Sequence, residues 1–323
     1  MFSSVIEAAA QLPLVHARGL VKRFGPLVAV DGIDFDVQAG EAFGFLGPNG
    51  AGKTSTMRMV GCVSPPSGGT LRILGRDPVT DGPDIRARLG VVPQQDTLDM
   101  ELTVRENIII YGRYFGLPRA ELGKRADELL DFVQLSERAN DRVEPLSGGM
   151  KRRLTIARSL VNDPDVLLLD EPTTGLDPQA RHTVWDRLFR LKLRGVTLIL
   201  TTHYMDEAEQ LCDRLVVMDK GKIAAEGSPQ ELIRRYSTRE VVELRFRAEH
   251  EPEEVATEIT GQMDGLARRL EALPDRLLLY TDDGDQTATH VHDLGLEPES
   301  MLVRRATLED VFLHLTGRTL VEE

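Results

Sequence analysis

The sequence predicts an α/β protein, a mixed sheet with helices and a helical subdomain, followed by a small α+β domain towards the C-terminus. Three observations carry this. A glycine-rich stretch, "GPNGAGKT" at 47–54, stands between an apolar strand pattern and a helical one. Two continuous apolar runs, "DVLLLDEP" and "VTLILTTH", are separated by a helical pattern, as expected of parallel strands buried on both faces. After about Ser237 the texture changes to alternating, half-exposed strands interleaved with short helical patterns.

Taken in order, residues 14–36 read as two strands about a turn, "LVHARGLVKRF" and "LVAVDGIDFDV". "EAFGFLG" is an apolar strand leading into the glycine loop, and "TSTMRMVGCV" reads as the helix after it. That strand–loop–helix order is what a phosphate-binding loop requires. "TLRILG" and "LGVVPQ" look like further strands. From Thr103 to about Asn140 the apolar residues recur at three- and four-residue spacing, in "TVRENIIIYGRYFGL" and "RAELGKRADELLDFVQL". These readings place a nucleotide-binding domain at 14–237, with a helical subdomain at about 97–160. An accessory domain of βαββαβα pattern comes next at 238–323, closing with the helix "LEDVFLHLTG". No repeat of the first domain is visible.

Composition bounds the function. At 323 residues the chain suits two domains, and no stretch approaches the roughly 18 apolar residues of a membrane-spanning helix. The N-terminus has no basic start, and Glu7 and Gln11 break its apolar letters, so it is a poor secretory signal. Two cysteines, Cys62 and Cys212, lack metal or redox spacing and fit a reducing, cytosolic setting. A formal net charge of −13 argues against general nucleic-acid binding. His16, His182, His250, His290, His292 and His314 show no ligand spacing. Trp185 and Phe189, four apart, read as a helix–core contact, and the acidic run "EHEPEEVATE" reads as a solvated helix start.

The glycine stretch is the first motif with chemistry. Gly47, Gly52, Lys53 and Thr54 fit G-x-x-x-x-G-K-[ST], within a loop of Gly47, Pro48, Asn49, Gly50, Ala51, Gly52, Lys53, Thr54 and Ser55. Glycines let successive backbone N–H groups converge on phosphate oxygens, and the helix that follows adds its positive end. Lys53 would reach the β- and γ-phosphates of a bound nucleotide, and the Thr54 hydroxyl would ligate Mg²⁺. The competing reading is a plain turn, which the flanking strand and helix disfavour.

"VLLLDEP" supplies the second half. An acid at the end of a buried strand is poorly solvated unless a cation meets it. Asp170 can hold the Mg²⁺ shell, and Glu171 beside it is placed to polarise an attacking water. Alone the run is as easily structural; paired with the glycine loop it is not. The third motif is "LSGGMKRRLTIARSL", in which Ser147, Gly148 and Gly149 precede what reads as a strongly amphipathic helix. An ordinary N-cap is the bland account of Ser147. Yet a second anion-binding helix start makes sense if it serves a nucleotide held by another subunit.

The order of Gly47–Thr54, Gln94 after "VVP", Leu146–Gly149, Asp170–Glu171, Gly175–Asp177 and His203 resembles the nucleotide-binding subunit of ATP-binding cassette (ABC) transporters over residues 14–235. The resemblance implies that Phe24 stacks on adenine, where a tyrosine is commoner, and that Gln94 touches Mg²⁺ and the attacking water. It also implies that Asp177 bridges two subunits and that His203 contacts the γ-phosphate. Met150 departs from the pattern, replacing the glutamine that most often follows the signature glycines. Within the family, "DEPTTGLDPQARH", "TTHYMDEAEQLCDRL" and the ending "RRATLEDVFLHLTGR" are most similar to nodulation-type and daunorubicin-resistance-type exporters.

The function implied by the resemblance is that of an ATPase engine, with two copies joined head to tail by ATP and working with separate integral-membrane permease subunits. It would sit peripherally on the cytoplasmic face of the cell membrane. Lipo-oligosaccharide, lipid and drug stay open as cargo. A soluble cassette acting on DNA or the ribosome is the alternative, but neither a second cassette nor a coiled-coil or zinc insertion is visible. A kinase or GTPase leaves Ser147–Gly149 unexplained.

Overall fold

The computed structural model describes residues 12–246, 252, 256 and 266–317. The chain divides into two compact units, Met1–Glu226 and Gly227–Glu323. In the first unit, β1 (Val15–Phe24) and β2 (Leu27–Val37) form an antiparallel pair about a tight turn. β3 (Ala42–Leu46) is buried at every position and runs into the glycine loop and α1 (Lys53–Val60). β4 (Gly68–Ile73) pairs with β1, giving a three-stranded antiparallel sheet of order β2-β1-β4.

Then come α2 (Gly82–Arg86), β5 (Leu89–Val92), α3 (Val104–Arg113), α4 (Arg119–Phe132) and α5 (Gly148–Ser159). The unit continues with β6 (Val166–Asp170), α6 (Pro178–Leu193), β7 (Thr197–Thr202), α7 (Met205–Leu211), β8 (Arg214–Asp219) and β9 (Lys222–Gly227). A six-stranded sheet of order β5-β6-β7-β3-β8-β9 results, with β5, β6, β7, β3 and β8 mutually parallel. The sequence reading does not single out β8 and β9. β8 carries the apolar run "LVVM" directly after α7, and β9, "KIAAEG", has one buried position only.

Phe35 of β2 packs edge-on to Phe45 and stacks on Phe43 of β3, with ring centroids 5.1 and 6.0 Å apart. This joins the antiparallel sheet to the parallel one through a single buried cluster. Burial of each such side chain contributes about 1.5–3 kcal/mol. The stretch between β5 and β6 is helical, as its spacing predicts. Thr103 and Glu106 form a capping box at the start of α3, and Arg105 pairs with Asp127 of α4.

Two expectations change. Trp185 is buried and donates Nε1–H to Glu207 Oε1 at 3.0 Å, but Phe189 is 44% exposed and is no core contact. Helix α5 is buried along most of its length, Arg152 and Arg158 included, rather than split into polar and apolar faces.

The second unit opens with α8 (Pro229–Tyr236), capped by Ser228 and Glu231. It continues through β10 (Glu240–Arg245), β11 (Arg269–Leu273), β12 (Arg276–Thr281), α9 (Gly284–Asp293), β13 (Ser300–Arg305) and α10 (Leu308–Thr316). The strands form one antiparallel sheet of order β11-β12-β10-β13. Val242, Leu244, Leu277 and Leu279 pack with Val291 of α9 on one face. On the other face Val241 and Tyr280 pack with Leu313 of α10 and Ile233 of α8. This contact places α8 in the second unit, so the division falls earlier than the expected boundary at 237/238. The helical pattern "PEEVATEITGQM" and the acidic run "EHEPEEVATE" that overlaps it lie outside the described residues, Pro252 and Ala256 excepted.

Candidate nucleotide site

The carboxyl ends of β3, β6 and β7 are neighbours in the parallel sheet, and the motifs meet there. Leu46 is in register with Thr202, and Asp170 with Thr201, so the glycine loop, the acidic pair and His203 leave the sheet side by side. Two of the loop glycines are required by space. A Cβ on Gly47 would run into the Met218 carbonyl, and one on Gly52, at φ +103°, into that of Ala29. Gly52 heads α1 without a side-chain cap, and no acidic residue lies in the first turn. The helix start is therefore left for an anion.

Lys53 is buried, and its Nζ donates to the carbonyls of Gly47 at 2.7 Å and Pro48 at 3.1 Å. The same ammonium stands 3.6 Å from Glu171 Oε1. Burial pulls the Lys53 pKa below its ordinary value, opposed by the Glu171 and Asp170 carboxylates. The Glu171 carboxylate also accepts from Gln94 Nε2 at 3.0 Å and Thr174 Oγ1 at 3.2 Å, with His203 Nδ1 3.5 Å away. The His203 imidazole beside it holds Glu171 at about 2 against the cost of burial, with Lys53 adding to the effect. Glu171 takes φ +46°, a strained conformation for a side-chain-bearing residue. Its N–H is secured by the carbonyl and hydroxyl of Thr201, at 3.1 and 3.0 Å.

Asp170 Oδ1 accepts from Thr201 Oγ1 at 2.6 Å and from Thr54 Oγ1 at 3.3 Å. The Thr54 hydroxyl and the Asp170 carboxylate thus converge as hard oxygen donors, with the Gln94 amide lining the same two cavities as Thr54, a set that suits Mg²⁺.

A cleft of about 520 Å³ is lined by Phe24, Asn49, Gly50, Ala51, Gly52, Lys53, Thr54, Ser55, Gln94 and Glu171, together with Leu27, Val28, Ala29 and Lys220. It therefore collects most of the residues the sequence singled out. Phe24 is half exposed at its wall, with Lys22 Nζ 5.0 Å from the ring centre. Ser147, Gly148, Gly149 and Asp177 do not line it. Ser147 caps α5, accepting from Met150 N at 3.3 Å, and Asp177 caps α6, accepting from Ala180 N at 2.9 Å. Both residues are exposed, and the two helix starts touch where Gly149 lies against Ala180.

Sequence reasoning passes over two arginines that connect these parts. Arg152 of α5, buried, donates to the carbonyls of Pro172 at 2.6 Å, Glu171 at 2.9 Å and Asp170 at 3.0 Å, and also to that of Pro93. Arg158, further along the same helix, donates to the Thr97 carbonyl at 2.7 Å. The segment carrying Gln94 is thus held at both ends by the helix that Ser147 caps. The signal for Arg152 is present in "LSGGMKRRL", but nothing local distinguishes a buried arginine from a solvated one. Thr201 and Lys220 are also missed.

A buried lysine, an ionised carboxylate and an uncapped helix start around one cleft define a phosphate-loop ATPase. Residues 30–174 match the family model described as ABC transporter, and residues 254–317 match that described as nodulation factor export protein NodI, C-terminal domain. The chain belongs to the ABC transporter family and is an ATP-binding, ATP-hydrolysing cassette subunit. It is 48% identical to the Nod factor export ATP-binding protein I of Ralstonia nicotianae, over 95% of each chain. It is 45% identical to the Mesorhizobium japonicum protein of the same name, over 99% of this chain and 91% of that one. Among solved structures it is similar to an ATP-binding cassette in a dimeric post-hydrolysis state bound to ADP and Pi. There the TM-score is 0.61 with 28% identity, over 66% of this chain and 98% of the other. A cassette of the cbiONQ transporter complex from Clostridium perfringens gives a TM-score of 0.65 with 26% identity, over 79% and 97%.

Proposed function

We propose that this chain is the ATPase subunit of an exporter, working as a pair of copies with separate integral-membrane permease subunits on the cytoplasmic face of the membrane. The observation that carries the reading is the division of labour in one chain. One cleft is lined by Asn49–Ser55 of the glycine loop and by the Glu171 carboxylate, while Ser147–Gly149 form a helix start, exposed at Ser147 and Gly148, that lines no part of it. The second start then serves the nucleotide of the partner copy, and Asp177, beside it, lies at the junction between copies.

In this reading Phe24 stacks on adenine, and the backbone of Gly47–Ser55 with Lys53 holds the phosphates. Thr54, Asp170 and Gln94 would hold Mg²⁺, which supplies charge neutralisation at the phosphates. Lys53 exchanges its contacts with Gly47, Pro48 and Glu171 for phosphate oxygens. Glu171, relieved of that contact and still ionised, orients the water and accepts its proton, with Gln94 and His203 fixing the carboxylate on either side. Closure across the partner's Ser147 and opening after hydrolysis form a two-state element biased by nucleotide.

Among the described residues no helix is long and apolar enough to cross a membrane, which supports separate membrane subunits. The names of the relatives favour a Nod factor-type lipo-oligosaccharide among the cargo classes. They give no support to a soluble cassette acting on DNA or the ribosome. Co-purification with membrane permease subunits that raise the rate of ATP hydrolysis tests the proposal. Co-purification with ribosomes or DNA instead overturns it.

A further inference from the structure

The sheet of the second unit ends on one side in β13, and that edge is built like the interior of a sheet. Met301, Leu302 and Val303 are 40%, 54% and 36% exposed. Their cross-strand partners put Met301 and Val303 on the face of Leu244 and Val242, which α9 covers, and Leu302 on the opposite face. Apolar side chains on both faces mark a strand meant to be buried between neighbours. Left unpaired, such an edge is a template for another strand. Among the described residues, β10 alone pairs with β13.

The strand is also complementary to itself. In an antiparallel pair of two β13 strands centred on Leu302, Leu302 meets its own copy and Met301 meets Val303. Glu299, the residue just before β13 whose N–H donates to the Arg245 carbonyl, then meets Arg305, and each of the last two pairs occurs twice. Directly opposed residues share a face, so the Met301–Val303 and Glu299–Arg305 pairs run in one stripe, with the Leu302 pair on the other face. Glu299 and Arg305 are both exposed. Moving the centre to Val303 sets Arg305 against Met301 and Arg304 against Leu302. The match therefore belongs to one register, and a slip of that kind changes which residues oppose one another.

We propose that β13 is the docking strand for β13 of a second copy of this chain, joining two four-stranded sheets into one. The inference rests on the reading that two copies act together, but it uses neither the nucleotide nor Ser147.

The test is self-association of the full chain without nucleotide, measured by sedimentation. Arg305→Glu and Glu299→Arg are each expected to weaken it about tenfold or more, because like charges then face each other twice, and the double variant restores it. Leu302→Cys, placed on the two-fold axis, is expected to give a disulfide-linked dimer on oxidation, whereas the wild type, with Cys212 buried and Cys62 half-buried, does not. Unchanged association in both single variants, a double variant as weak as either single, or a Leu302→Cys chain that stays monomeric on oxidation each overturns the proposal. Association that needs ATP and is lost only on Ser147→Arg leaves the cassette pairing standing and removes the role of β13. A charge-swap effect confined to co-purification with the membrane subunits assigns the edge to them, and likewise overturns it.

Discussion

The ammonium of Lys53 stands 3.6 Å from the Glu171 carboxylate, and both groups are buried. The first residue of α1 and the residue just past β6 thus share one electrostatic site before any nucleotide enters. Lys53 needs an anion there, Glu171 a cation, and each supplies the other until a phosphate takes the lysine. The consequences are measurable.

Glu171→Gln should retain ATP binding and lower turnover about 10²–10³-fold, the usual loss when one transition-state contact is removed. The amide still fits among Gln94, Thr174 and His203 but accepts no proton. An ATP-dependent dimer should accumulate, visible as a shift in sedimentation when ATP is added. Turnover at the wild-type rate would remove Glu171 from the chemistry.

Lys53→Ala and Ser147→Arg should separate the two halves of the site. The first removes the cation of the cradle and should raise the Kd for ATP at least about tenfold, since charge-assisted contacts contribute about 1.5–3 kcal/mol. The second lies outside the cleft and should leave ATP binding by the monomer intact while blocking closure and hydrolysis. Equal loss of affinity in the two variants would contradict the assignment of Ser147 to the partner's nucleotide.

Arg152→Ala should destabilise the first unit by about 2–4 kcal/mol, because four carbonyls lose their donor in a buried setting. Thermal unfolding checks the loss. Arg152→Lys should recover only part of it, since one ammonium cannot reach carbonyls on two segments as the planar guanidinium does. Full recovery by lysine would show that charge alone, and not the fork, holds the Gln94 segment.

The pH dependence of stability has a defined sign. Glu171 is held at about 2, below its ordinary 4.5, so ionisation stabilises the folded state. That contribution is complete above about pH 4.5 and disappears as the pH falls towards 2. Acid titration of the wild type should show this loss, and Glu171→Gln, with no group to protonate, should lack it. Identical acid profiles would mean that the carboxylate is not paired in solution.

Legibility of the fold followed the range of the interactions. The strands β3, β6 and β7 were readable because burial on both faces writes continuous apolar runs. β8 and β9 are less so: β8 follows α7 almost directly, with no intervening turn signal, and β9 has a single buried position and so writes no apolar run. Four-residue spacing from Trp185 puts Phe189 on the same helix side but does not say what covers it, and Phe189 is exposed. Arg152 was passed over for a related reason, since its four acceptors lie on other segments of the chain.

By itself the sequence determined the local chemistry: a glycine loop before a helix, an acid pair after a buried strand, and a serine at a second helix start. These are legible because phosphate binding and capping depend on backbone geometry over a few successive residues. The tertiary structure alone decided which distant groups meet. Parallel register sets Asp170 beside Thr201 and Leu46 beside Thr202, and so brings Lys53, Gln94 and Glu171 to one cleft, with His203 3.5 Å from the Glu171 carboxylate, while leaving Ser147 outside it. The reason is that Coulomb and hydrogen-bond energies depend on separation in space, and for residues far apart in the chain only strand order and register fix that separation.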